Sequence, residues 1–356
     1  MWMQLAVLCC LGAAGIWSGA AGASIQEKLE ALHETQAAYV NAQQEGDWET
    51  AAELGQRLFE HLEEARVLLE EANAGESRDR DTLMQYATVL ALQDHPDLSA
   101  EVLRRLTRLY PEDVDGWLAL GEALSELGPR WRAEAADAYA ACLALEPEPN
   151  KATNAWSGLG GVYLRGGVTA LARGAYESGA ELTDEHPRVL AGLAAVALWE
   201  GDVMETAQRL DALVEIPPKE FQLLEQGVER LKSGRFPLPH DADAHAAHAR
   251  LLFRVGRLHQ SLLPLRRSLQ LDPGDYVRWN FLGSLLINTG ALEEAISAFE
   301  ESLAINSDQP RTQEILAMLQ DAEPDAPLAP PEDMPVELEG APMMPGQPQD
   351  PLAPAP

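Results

Sequence analysis

Trp279-x2-Leu282-Gly283-x2-Leu286, followed by Gly290, Ala295 and Phe299, is the stretch that decides the fold of this 356-residue chain. The same offsets recur from Trp156, with Leu159, Gly160, Tyr163, Gly167, Ala172 and Tyr176. They recur again from Trp117, with Leu120, Gly121, Leu124 and Gly128, and then, after two extra residues, Ala135 and Tyr139. Offsets of three and four put Trp279, Leu282, Gly283 and Leu286 on one face of a helix. Gly283 and Ala295 are small enough for two helices to approach closely, while Trp279 and Phe299 fill the remaining space. Gly290 stands where the chain must reverse, a place that often needs positive φ. Self-similarity at a fixed period of about 34 residues marks a stack of identical supersecondary units.

Weaker copies follow the same register. From Leu83 the small slot is Ala87, the next Leu is Leu90, and Pro111 closes the unit; from Leu190 they are Ala194, Gly201 and Pro218. From His245, one full period before Trp279, come Ala249, Leu252, Gly256, Leu265 and Pro273. Leu223 opens a further first helix with Gly227 and Gly234 in place. Its second helix is blocked by Arg235-Phe236-Pro237-Leu238-Pro239, so this unit reads as incomplete near 219–240.

A bulky residue, a small residue four later, a turn Gly, then Ala and an aromatic before a closing Pro: this series resembles the tetratricopeptide repeat (TPR). The resemblance implies an all-α, right-handed superhelical solenoid of helix hairpins, with about six to seven units over residues 81–320. It also implies a scaffold that binds a protein or peptide along a concave face lined by the first helices, and not an enzyme. Residues 24–80 read as an acidic helical hairpin around Gly46-Asp47 that caps the array, with Phe59, Leu62 and Leu69 on its apolar stripe.

Composition narrows the partners. With 26 basic against 57 acidic residues the net charge is −31, which argues against nucleic acid as a partner. It also disfavours docking on an anionic membrane surface. Residues 1–23 carry no charged side chain, and an apolar run from Leu5 to Ile16 leads to Ala21-Gly22-Ala23. This is the pattern of a cleaved export signal, with an uncleaved membrane segment as the alternative, and it points to a periplasmic or membrane-associated protein. From Asp321 to the end, 11 of 36 residues are Pro and 8 are acidic, so residues 321–356 read as a disordered, polyproline-like tail. Cys142 is the one cysteine outside the leader, one turn after Tyr139 in a small packing slot, and reads as a buried free thiol.

Chemistry is sparse. No phosphate loop or nucleophile motif appears, and no cofactor is implied. The one ligand-like cluster is His240, His245 and His248 with Asp241 and Asp243, a set that suits Zn²⁺ and supports the alternative of a metal-binding protein or metal-dependent enzyme. The repeat register accounts for the same residues as packing positions and an N-cap. The groove reading is the stronger. By offset from the packing face, Arg165, Trp199, Arg250, Phe253, Arg254, Asn280, Ser284 and Asn288 point inward. Arg250, Phe253 and Arg254 then adjoin Asn280, Ser284 and Asn288 on the next unit, giving donors and an aromatic to an extended peptide. The TPR domains that clamp acidic chaperone tails use a Lys and Asn set along the groove. Here those slots hold Leu118, Glu122, Ser157 and Gly161, a departure that argues against that ligand class.

Overall fold

The three-and-four spacing of apolar residues produces helices along the whole described chain. The computed structural model describes residues 20–44, 46–183, 185–232 and 240–321. The apolar run of the expected leader, the Arg235–Pro239 break and the Pro-rich tail beyond Asp321 lie outside the described residues. Among the described residues every regular element is a helix, and none is long and apolar enough to cross a membrane. The chain divides into two compact units, Met1–Val189 with Pro217–Lys219, and Leu190–Ile216 with Glu220–Pro356.

In the first unit, α1 (Ala20–Gln44) and α2 (Trp48–Glu71) form a hairpin, and the Asp47 side chain caps α2 by accepting from the Thr50 amide. Ile25, Leu29 and Leu32 meet Leu62, Ala65 and Leu69 in its core. Phe59, expected on this stripe, is instead 66% exposed. Leu58, four residues before Leu62, takes the inward turn because α2 rotates Phe59 past the edge of that face.

Three hairpins follow: α3 (Arg80–Leu92) with α4 (Pro96–Leu109), α5 (Val114–Glu126) with α6 (Arg132–Ala144), and α7 (Pro149–Arg165) with α8 (Thr169–Ala180). The two extra residues after Gly128 are taken up by a 3-10 turn, Pro129–Trp131. In the second unit, most of α9 (Pro187–Glu200) pairs with α10 (Val203–Asp211), followed by α11 (Pro218–Lys232). Then come α12 (Ala242–Arg254) with α13 (Leu258–Leu271), α14 (Tyr276–Asn288) with α15 (Leu292–Ile305), and the last helix α16 (Pro310–Asp321).

The small and large slots of the repeat meet as the spacing requires. A Cβ on Gly283 would lie 2.6 Å from the Phe299 ring, one on Gly121 2.8 Å from Tyr139, and one on Gly160 2.7 Å from Tyr176. All three rings are buried, so helix approach and ring insertion are a single packing decision. Gly290 turns the chain at φ 79°. Caps keep the same period: Asp79 and Asp113 cap α3 and α5, Asp241 and Asp275 cap α12 and α14, each pair one repeat apart.

Trp117 and Trp279 occupy matching seams, their indole N–H groups donating to the carbonyls of Pro111 (2.8 Å) and Pro273 (2.9 Å). Trp156 differs because α7 begins seven residues ahead of it, against three for the other two indoles. The carbonyl six residues before Trp156 is therefore inside the helix and committed to it. Cys142 is fully buried, and burial, with the Asp115 carboxylate nearby, pushes its thiol up to about 11.

Candidate functional site: a groove in the second unit

An open cavity of about 510 Å³ lies between α12, α14 and the start of α16, all within the second unit. Capping sets its rim. Asp275 accepts from the amides of Val277 and Arg278, which fixes the first turn of α14 and aims Arg278 across to α12. There Arg278 pairs with Asp243, with Asp275 (2.9 Å) and with Asp272 (3.5 Å) while its side chain is only 12% exposed. A guanidinium shared among three carboxylates ties adjoining first helices together.

The far wall is fixed by an amide network. Asn280 Nδ2 donates to Gln309 Oε1 at 2.6 Å, and Thr312 donates to Asn280 Oδ1 at 3.4 Å. Gln309 Nε2 in turn donates to the carbonyls of Ser302 (3.1 Å) and Asn306 (2.7 Å). Phe253 and Phe281 meet edge to face with ring centroids 5.6 Å apart, which joins α12 to α14 on the apolar side. The cavity wall carries Asp243, Asp275 and Asp308 against Arg250, Arg278 and Arg311, so the site is close to neutral in a strongly acidic chain.

The structure separates the eight expected groove residues. Arg250, Asn280 and Ser284 line the cavity, and Phe253 stands behind it against Phe281. Arg250 also reaches Asp211 at 3.5 Å. Asn288 is exposed and its amide donates to the Ser284 carbonyl of its own helix. Arg254 turns inward, donating to the Leu213 carbonyl at 2.6 Å, and burial lowers its guanidinium from the usual range while Asp211 opposes that shift. Arg165 belongs to the first unit, on the last turn of α7.

Trp199 is covered, contrary to expectation. Its indole donates to the Leu223 carbonyl of α11 at 3.1 Å, Arg230 stacks on its ring at 4.5 Å, and Gly227 admits Leu198 and Trp199 at close range. Offset counting treats α11 as another first helix and does not reveal that it lies over that ring. Phe281 and Gln309 also line the cavity, and offset from the packing face did not point to either. Gln309 follows Asp275 by one repeat length, just before Pro310, and the cap period would have found it.

The histidine cluster does not form a ligand set. His240 and His245 stack edge to face at 6.5 Å, and among the described residues no three His, Cys, Asp or Glu side chains are placed to share a metal ion. Burial, with a smaller contribution from His245, pushes His248 down to about 4, so that ring is neutral. This is the environment of a packed side chain.

A family model described as "Tetratricopeptide repeat" matches residues 278–309, which run from the third residue of α14 through the turn and α15. No curated protein matches the sequence. Solved structures that match include the Pseudomonas aeruginosa protein pilF, at 18% identity over 70% of this chain and 95% of that one, TM-score 0.38. A tetratricopeptide repeat protein from Parabacteroides merdae matches at 14% identity over 82% of this chain and 100% of its own, TM-score 0.36. The APC/C hetero-tetramer Cut9–Hcn1 matches at 15% identity over 71% of this chain, TM-score 0.37, and the chain spans 45% of that protein. These superpositions are loose, so the repeat assignment rests on the family match and on the Gly–aromatic seams and periodic caps described above. The chain is an all-α protein of helix hairpins, and one of those hairpins, over residues 278–309, matches the tetratricopeptide repeat.

Proposed function

We propose that the chain is a non-enzymatic interaction scaffold that binds an extended peptide segment in the groove of its second unit. One observation carries the reading: three elements, α12, α14 and the start of α16, converge on an open cavity with Phe281 and polar side chains on its wall and Phe253 behind Phe281. Ser284 and Arg250 offer donors to the unpaired carbonyls of an extended backbone, and Phe281 and Val277 offer apolar contact. The near balance of Arg and Asp favours a peptide without strong net charge. Titrating the full-length chain with fluorescent peptides tests this. Arg250→Ala and Phe281→Ala should each weaken binding about five- to tenfold, an effect of about 1–1.4 kcal/mol, and unchanged affinity in both would refute the groove.

The uncharged residues 1–23 further support export, with the scaffold acting in an envelope-associated assembly. Fractionation of cells producing the full-length chain tests that part, and recovery with the cytoplasm would overturn it.

A further inference from the structure

In the tail, Pro342, Pro345, Pro348, Pro351 and Pro354 recur at every third residue. A polyproline II helix has three residues per turn and rises about 3.1 Å per residue, so in that conformation these prolines would make one ridge with a tooth about every 9 Å. Helices in contact lie about 8–10 Å apart, and α12 meets α14 through Phe253 and Phe281 while Asn280 of α14 meets Gln309 at the start of α16, so a ridge laid across the three would present about one proline to each. We infer that the segment 342–354 of this same chain is the resident occupant of the groove, an inference that rests on the peptide-binding reading above.

Three further observations select that segment. Reach is the first. The last helix, α16, is 12 residues long, about 18 Å at 1.5 Å per residue, with its first turn at the cavity and its last at the root of the tail. An earlier ridge, Pro324, Pro327 and Pro330, starts three residues beyond Asp321, and three residues span about 10 Å, too short to return. The far longer stretch between Asp321 and Pro342 spans that distance several times over. Charge is the second: Asp350 is the only charged residue in 342–354, which suits a wall where three Asp face three Arg. Chemistry is the third. A polyproline backbone leaves its carbonyls unpaired and presents flat apolar rings, so it docks on aromatic surface with donors beside it. Phe281, Tyr276, Ser284 and Arg250 supply that combination on one wall.

Photo-crosslinking in the full-length chain tests the inference. Val277 is 43% exposed and lines the cavity, so Val277→p-benzoyl-phenylalanine places a probe there without disturbing a packed side chain. Irradiated at low micromolar concentration and read by mass spectrometry, this probe should mark residues 342–354 of its own chain. Pro345→Ala with Pro348→Ala and Pro351→Ala should cut the adduct at least tenfold, and the same probe at Phe59 should give none. Adducts that survive the three substitutions, or that join two chains, overturn the inference. A probe that captures an added extended peptide but never the tail leaves the groove standing and removes only its resident occupant. A probe that captures neither removes both.

Discussion

Adding one methyl group to Gly283 should destabilise the protein, although alanine is the better helix former. The new Cβ would stand 2.6, 2.7 and 2.8 Å from three carbons of the Phe299 ring, and that ring is 1% exposed. Relief requires the ring or helix α15 to shift by roughly 1 Å, and overpacking of this kind costs about 1–3 kcal/mol. The helical gain from replacing Gly by Ala is about 0.5–1 kcal/mol, so the net effect is a loss of about 1 kcal/mol or more. Gly174 supplies the opposite case: it is exposed on α8 and nothing lies within 4 Å of an added Cβ. Gly174→Ala should therefore stabilise by up to about 1 kcal/mol. Urea unfolding followed by circular dichroism measures both. Phe299→Leu in the Gly283→Ala background should recover part of the loss, with a coupling energy of about 1 kcal/mol. If Gly283→Ala stabilises as much as Gly174→Ala does, the seam between α14 and α15 is not packed as described.

Two further predictions concern the second unit. His248 is held neutral to about pH 4 in the folded state, while the unfolded ring protonates near pH 6.5, so the unfolded chain binds more protons between those values. Stability should fall as pH drops through that window, by at most about 3 kcal/mol for this group. His248→Leu should flatten that part of the unfolding curve, and an unchanged slope would refute the assignment. Trp199→Phe removes the indole donor to Leu223 and should cost about 1 kcal/mol, with faster hydrogen exchange confined to α11. Unaltered exchange there would show that α11 is held by other contacts.

Much of the fold was legible because a helix hairpin must pair a small residue with a large one at fixed separation. Gly283 with Phe299, Gly160 with Tyr176, and Gly121 with Tyr139 write that requirement directly into the sequence. The site was legible only in part. Arg250, Asn280 and Ser284 could be placed because offset from the packing face decides which way a helical residue points. Offset says nothing of what covers that face. Trp199 was misplaced because α11 lies over it, and Arg254 because its long side chain bends back to the Leu213 carbonyl. Phe59 shows the same limit at finer scale, since one residue of rotation moved it from core to surface and put Leu58 in its place.

The groove stands or falls on whether α12, α14 and the start of α16 adjoin as described. Nuclear Overhauser spectroscopy of the full-length chain, labelled at its six Phe residues, reads this directly. Rings of Phe253 and Phe281 with centroids 5.6 Å apart should give strong cross-peaks, and an added peptide ligand should shift Phe281 while leaving Phe59 unmoved. Absence of the Phe253–Phe281 cross-peak, or equal shifts at Phe59 and Phe281, would contradict the account.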